Sequence, residues 1–289
     1  MSSSPRRIDL HTHSTCSDGT DSVTELLHAA RAAGLDAIAL TDHDTTVGWA
    51  EAAAAVPAAG VDVVPGIEVS TERDAHSIHV LALLPDPSEQ TSLAEEILHA
   101  RRSRDDRARR MVELLGRDLP LRWEDVVART AGEATTIGRP HIADALVERG
   151  VVADRGEAFE KLLRPGGPYY VGHYAPDPVR AVQVIREAGG VPVLAHPGSG
   201  SRGQVIADAV IAEMIAAGLA GLEIDHREHD EATRSRLTDT ARSHGLLVTG
   251  GSDYHGAGKP NRLGENLTSP DVLAALIASA TSSTEVLTA

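Results

Sequence analysis

The sequence predicts an α/β chain, built as a closed or nearly closed β/α barrel with a helical insertion. Three observations carry this reading. Short apolar runs alternate with helical patterns over most of the 289 residues, as expected for a parallel sheet buried on both faces. A chain of this length favours one barrel-sized unit over an open doubly wound sheet. Between about Ser92 and Leu163 the alternation stops, and only helical patterns remain.

In chain order, Ile8 to Leu10 reads as a strand and Val23 to Ala33 as a helix that Gly34 stops. Ala37 to Leu40 is an apolar strand, followed by an Ala-rich helix from about Val47 to Ala59. Val61 to Val64 and Ile78 to Leu84 are the next strands. Helical patterns follow at Ser92 to Leu115, Glu124 to Ala131, Pro140 to Glu148 and Asp154 to Leu163, and Pro165-Gly166-Gly167-Pro168 ends them. Strands return at Val191 to Leu194, Leu222 to Ile224 and Leu246 to Val248, each after a helical stretch ending near Gly. The reading divides the chain into a discontinuous barrel, residues 7–91 and 166–280, around a small helical subdomain, residues 92–165. Residues 281–289 read as a frayed end.

Composition narrows the function. With 27 Lys+Arg against 42 Asp+Glu, the formal charge of −15 opposes long nucleic acid or an anionic membrane as partner. A single Cys excludes a disulfide framework and a multi-Cys zinc site. Aromatic content of 2% argues against base-stacking platforms. The polar N-terminus carries no apolar export segment, and no apolar run approaches the ~18 residues that span a bilayer, so a cytoplasmic location is expected. The 14 His are the anomaly, and they direct attention to metal ligands.

The most informative stretch is His11-Thr12-His13-Ser14-Thr15-Cys16-Ser17-Asp18-Gly19, directly after the first strand. Two His at i and i+2 on extended chain point to one side, so both imidazoles can reach one cation. Asp18 adds a carboxylate on the adjoining loop, and Cys16 is read as a small loop residue. Thr41-Asp42-His43-Asp44 follows the second strand, and Glu68 follows the third. His196 closes the strand ending Leu194-Ala195, and Asp253 with His255 follows the last one. In β/α barrels the C-terminal strand ends converge on one face, so these five strand ends would share a mouth. His76 and His79 are equivalent candidates on this reasoning.

These motifs resemble those of the polymerase-and-histidinol-phosphatase (PHP) metallophosphoesterases. The resemblance rests on His11-Thr12-His13, Ser17-Asp18-Gly19, Thr41-Asp42-His43-Asp44, Gly66-Ile67-Glu68, His79, Ala195-His196-Pro197 and Gly251-Ser252-Asp253-Tyr254-His255, in that order along the chain. It implies a distorted (β/α)₇ barrel with two or three divalent ions. It further implies that His11, His13, Glu68 and Asp253 hold one ion, that Glu68 bridges to a second held by His79 and His196, and that Asp18, His43 and His255 hold a third. The mixture of imidazole and carboxylate suits Mn²⁺, Zn²⁺ or Fe²⁺ better than Mg²⁺.

One subgroup of that family carries a helical insertion with a Gly-Arg-Pro-His motif, matched here by Gly138-Arg139-Pro140-His141. Pro140 suits a first helical turn, which places Arg139 where a guanidinium and free N–H groups can meet phosphate. The subgroup also resembles this chain in Lys259-Pro260-Asn261-Arg262-Leu263-Gly264 and in His229. Arg139, His141, Lys259 and Arg262 are therefore the expected phosphate contacts, with Arg202 a weaker candidate, and His255 or His229 the expected proton donor to the leaving group. The run Arg101 to Arg110 holds six Arg and two Asp and reads as a solvated helix with i,i+4 pairing. The function implied is hydrolysis, by metal-activated hydroxide, of phosphate esters of nucleotides (AMP or 3′,5′-bisphosphonucleosides) or of short 5′-phosphorylated oligoribonucleotides. A histidinol-phosphate-type phosphatase, an amidohydrolase-like C–N or C–O hydrolase and a non-catalytic metal-binding protein are the alternatives.

Overall fold

The computed structural model describes residues 6–74, 76–128, 137–200 and 205–289. Seven strands form one sheet in sequential order: β1 (Ile8–Thr12), β2 (Ala37–Leu40), β3 (Asp62–Arg73), β4 (His76–Leu83), β5 (Val191–Leu194), β6 (Gly221–Asp225) and β7 (Leu247–Gly250). The sheet curls until its ends nearly meet. A bridge joins Thr12 to Tyr254 past the end of β7, where the His13 N–H donates to the Tyr254 carbonyl at 2.9 Å.

Helices α1 (Val23–Ala32), α2 (Trp49–Ala59), α7 (Pro178–Glu187), α8 (Asp208–Ala216) and α9 (Glu231–His244) cover the outside, with α10 (Pro270–Ser279) against β7. Each start has a local cause. Ser22 and Glu25 form a reciprocal capping box on α1, and Asp177 and Asp230 cap α7 and α9. Alternation along a strand divides the core. In β2, Ile38 and Leu40 pack with Leu26, Leu27 and Val56 of α1 and α2, whereas Ala37 and Ala39 join Val64, Leu81, Leu83 and Val193 from the other strands.

The expectation of an all-parallel sheet is corrected at one strand. β4 runs antiparallel to both β3 and β5; the remaining pairs are parallel. The cause is local. β3 and β4 pair as a hairpin from Gly66↔Leu83 out to Arg73↔His76, and a hairpin leaves no room for the crossover that parallel pairing requires. β3 also continues far past Val64, so Glu68 lies within a strand rather than after one.

The C-terminal residues are not frayed. The Thr281 N–H donates to the Gly189 carbonyl at 2.8 Å, and Leu287 exchanges backbone bonds with Val63 at 2.8 and 2.9 Å. Val286 and Leu287 pack against two of the barrel's apolar clusters. The tail thus lies alongside the start of β3, anchored by an apolar pair that its polar neighbours obscure in the sequence.

Between β4 and α7 come α3 (Ser92–Leu115), α4 (Trp123–Val127), α5 (Arg139–Glu148) and α6 (Arg155–Lys161). They share a cluster that includes Ala108, Met111, Leu115, Val126, Ile142, Leu146 and Ala158. Part of the helix expected over Glu124 to Ala131 falls outside the described residues, as does Arg202. Among the described residues, no helix is long and apolar enough to cross a membrane.

Candidate metal centre

Six imidazoles and three carboxylates converge at the mouth of the barrel. Glu68 is central and fully buried. Its Oε2 lies 3.2 Å from His11 Nε2, 3.0 Å from His13 Nε2 and 3.4 Å from His43 Nδ1. Its Oε1 faces His79 Nδ1 at 2.6 Å and His196 Nε2 at 3.1 Å. Asp253 Oδ1 lies 3.5 Å from His11 Nε2 and 3.4 Å from His13 Nε2. Asp18 Oδ1 is 3.1 Å from His255 Nε2 and 3.9 Å from His43 Nε2.

Local backbone features aim these groups. The β1–β2 register shifts between Asp9 and Thr12, and such a bulge re-aims side chains. Leu10 therefore joins the strand core while its neighbour His11 reaches the cluster. Asp44, His196 and Asp253 adopt positive φ of 52°, 30° and 52°. For residues with a Cβ that conformation costs on the order of 1 kcal/mol or more, and it is typically retained where a site requires it. Asp42 fixes the first loop by accepting from the Ser14 N–H at 2.8 Å, the Ser14 hydroxyl at 2.7 Å and the Ser17 hydroxyl at 2.6 Å. The antiparallel course of β4 explains His79, which stands near the start of its strand and therefore at the mouth. His76 pairs with Arg73 at the far tip of the same hairpin.

The donor set fits divalent cations. Glu68 Oε2, Asp18 Oδ1, His43 Nδ1 and His255 Nε2 are buried atoms without a hydrogen bond, facing one another across the cluster. Among the described residues, four groups have ligand atoms within 4.8 Å of one another: His11–His13–Glu68–Asp253, His13–Asp18–His43–His255, His43–Glu68–His79 and His11–His196–Glu223. Burial opposes charge on Asp18, Glu68 and Asp253, but the surrounding imidazoles, with Lys259 beside Asp253, more than offset it and hold all three well below the usual carboxylate range. Burial pushes His43 well down and His255 down, so both are neutral and carry a lone pair. Burial also opposes charge on His13, yet Asp253 and Glu68 lift it to about 9. A cation entering there replaces a proton in the same electrostatic role.

Glu223 escaped the sequence reading. It lies in β6 between Leu222 and Ile224, 1% exposed, and its Oε1 is 3.1 Å from His11 Nδ1 while its Oε2 accepts the His196 N–H at 2.8 Å. Because His11 Nε2 faces Glu68, Glu223 acts from behind, setting the orientation of the His11 imidazole and anchoring the backbone of His196. The signal available was a carboxylate inside an otherwise apolar strand. Glu223→Gln is expected to keep the fold and weaken metal affinity about 10- to 100-fold, read by titration with a competing chelator; affinity within threefold of wild type would refute that role.

The expected substrate residues divide. A cavity of about 610 Å³ opens beside the cluster, with Asp18, His43 and His79 on its wall. Arg139 and Lys259 also line it. Arg139 Nη1 donates to the Leu163 carbonyl at 3.2 Å, its guanidinium lies 5.4 Å from the Phe159 ring centre, and Lys259 Nζ reaches Asp253 Oδ2 at 2.7 Å. His141 and Arg262 are not part of that lining. His141 Nδ1 instead accepts the Gly138 N–H at 3.1 Å, which caps α5, and Arg262 is exposed. His229 is buried; its Nε2 accepts the Gly198 N–H at 2.9 Å and its Nδ1–H donates to the Ile224 carbonyl at 2.8 Å. Both nitrogens are thus engaged by backbone, and the ring ties the loop after β5 to the end of β6.

Comparison with known proteins agrees with this geometry. The PHP domain model matches residues 9–117. The chain is 38% identical over 255 residues to the 3′,5′-nucleoside bisphosphate phosphatase of Chromobacterium violaceum, an alignment covering 88% of this chain and 89% of that protein. It is 33% identical over 264 residues to the 5′-3′ exoribonuclease of Haemophilus influenzae, covering 91% and 94%. A crystal structure described as a metal-dependent phosphoesterase from Bifidobacterium adolescentis superposes with a TM-score of 0.92 at 41% identity, covering 97% of this chain and 99% of that one. With relatives of this identity aligned over most of both chains, the chain belongs to the PHP-domain family as a hydrolase of phosphoric esters.

Proposed function

We propose that the chain removes a phosphate group from a small nucleotide such as AMP or a 3′,5′-bisphosphonucleoside. The observation that carries this is a cavity of about 610 Å³ lined both by Asp18, His43 and His79 and by the cations Arg139 and Lys259. A space of that size suits a mononucleotide. The relatives named above, a nucleoside bisphosphate phosphatase and an exoribonuclease, both cleave phosphoric esters of nucleotides, a monoester in the first case and a diester in the second.

His11, His13, Glu68 and Asp253 would hold one ion, Glu68 with His79 and His196 a second, and Asp18, His43 and His255 a third. Mn²⁺, Zn²⁺ and Fe²⁺ match these donors. Divalent ions bound there would supply a water of lowered pKa and a clamp for phosphoryl oxygens. Arg139 and Lys259 orient the phosphate, and helices 92–165 roof the site as a subdomain that excludes bulk water. His255 serves as a ligand and not as an acid, because its Nδ1–H is fixed on the Asp253 carbonyl at 2.8 Å and its Nε2 faces Asp18.

Chelation is expected to abolish turnover, and Mn²⁺ or Zn²⁺ to restore it. Products resolved from 3′,5′-bisphosphoadenosine, AMP and a 5′-phosphorylated oligoribonucleotide measure this directly. Release of inorganic phosphate from the mononucleotides supports the proposal. Stepwise shortening of the oligonucleotide with inert mononucleotides would replace it with an exonuclease, and full activity after chelation would refute the metal role.

A further inference from the structure

The arginine run of α3 is only partly solvated. Arg102, Arg109 and Arg110 are exposed, but Arg104 turns inward, and its Nη2 pairs with Asp44 Oδ2 at 2.8 Å. Asp44 is fully buried and directly follows His43. Its backbone N–H donates to the Glu68 carbonyl at 3.1 Å, and its Oδ1 accepts the Ser70 N–H at 2.8 Å. A buried carboxylate needs a counter-charge, and α3 of the helical insertion supplies it. The pair pins the loop that presents His43 onto β3.

Two more contacts of this kind leave the insertion. His141, in α5, is pushed down by burial and is neutral. Its Nδ1 accepts the Gly138 N–H at 3.1 Å, so its proton is on Nε2, and the Ser17 backbone, next to Asp18, takes it as a hydrogen bond. Arg155, in α6, is gripped by both oxygens of Asp144 and points Nη1 at the Gly258 carbonyl at 3.5 Å. Gly258 ends the 3₁₀ turn Gly256–Gly258 that follows His255, and its N–H donates to the His255 carbonyl at 3.2 Å. A Cβ on Gly258 would lie 2.6 Å from Arg155 Nη1, so the two segments are in close contact. Asp18 also attracts both His141 and Arg155.

Asp18, His43 and His255 thus each neighbour a contact from a different helix of the insertion. The remaining ligands are backed by the barrel itself. Glu223 stands behind His11 and holds the His196 backbone, the Ser77 hydroxyl lies 3.1 Å from His79 Nε2, and Lys259 meets Asp253. We propose that Arg104, His141 and Arg155 are positioning residues for one ion only, the one assigned to Asp18, His43 and His255, so that the helical insertion completes a cation site which the barrel alone leaves loose. This rests on the three-ion reading above and adds that occupancy of the third site depends on the insertion. Residues behind a ligand fix its orientation, and their loss is felt as weaker metal binding.

Titration of the full chain with Mn²⁺ against a competing chelator tests this ion by ion. Wild type should take up three ions. Arg104→Gln and Arg155→Gln should each weaken one of them about 10- to 100-fold and leave the other two within threefold, with partial recovery in Arg104→Lys. Arg149→Gln, which removes an ion pair with Asp125 inside the insertion, should change none. Asp18→Asn should lose the same ion, so that adding Arg155→Gln to it weakens nothing further. Arg155 is the more exposed of the two arginines, and Arg155→Gln decides the matter if removing Arg104 unfolds the chain. Equal weakening of all three ions, unchanged binding of all three, or a further loss in the double variant overturns the proposal. Two ions in wild type would refute the three-ion reading and this proposal with it. Three ions with the selective loss but no phosphoester turnover would leave the proposal standing and refute the phosphoesterase reading instead.

Discussion

Glu68→Gln is expected to lower kcat/KM by about 10³-fold or more while the chain stays folded. The side chain faces five imidazoles, with His11, His13 and His43 around one oxygen and His79 and His196 around the other. The substitution keeps the shape and removes the charge. It also replaces one oxygen with an NH₂ group, a donor where an acceptor is required. Loss of several kcal/mol of charge stabilisation in the transition state corresponds to that factor. Metal content measured by mass spectrometry should fall by at least one ion per chain, and circular dichroism should match wild type. Retention of more than a tenth of the activity at full metal content would show that the carboxylate does not bridge.

Much of the site was legible because its periodicity is simple. His11 and His13 are two residues apart, and that spacing alone puts them on one side of an extended chain. His196 and Asp253 were found because a barrel gathers its strand ends. His79 could not be chosen by that rule, since it assumes that every strand points the same way and β4 does not. Glu68 was placed among the candidate ligands, but Pro65-Gly66 concealed the strand that carries it. Gly66 is there because a Cβ would lie 2.9 Å from Thr41 Cγ2 and 3.0 Å from Leu83 Cδ2, a close approach of neighbouring strands rather than a turn.

Arg104 and Arg107 of α3, which line the cavity beside the cluster, were hidden for a different reason. Charge density on a helix does not reveal which face packs. Ala100, Arg104, Arg107 and Met111 follow helical spacing along one stripe, and Ala100 and Met111 are buried. The apolar members of that stripe could have indicated that two of the six arginines point inward. His229 and His141 show the converse: each was singled out by its motif, and each hydrogen-bonds backbone. Motif membership identified residues the fold needs, and only hydrogen-bond partners separated those from residues that face the cavity.

Gly251→Ala should disable the enzyme through a single methyl group. The residue follows β7, and its missing side chain leaves the space that the two walls of the metal centre occupy. A Cβ built there would overlap Glu223 Oε1 and His11 Cβ. Neither neighbour can give way without consequence. Glu223 is held by His11 Nδ1 at 3.1 Å and by the His196 N–H at 2.8 Å, and His11 is fully buried beside Glu68. Displacing either shifts the His11 imidazole and the backbone that carries the neighbouring His196, and misplacement of about 1 Å can cost 100-fold in rate. The variant is expected to lose at least 100-fold in kcat/KM and to bind metal more weakly than Glu223→Gln, because it disturbs His11 and Glu223 together. If it retains wild-type metal affinity and turnover, the β6–β7 wall is softer than its packing indicates, and Glu223 does not set the orientation of His11.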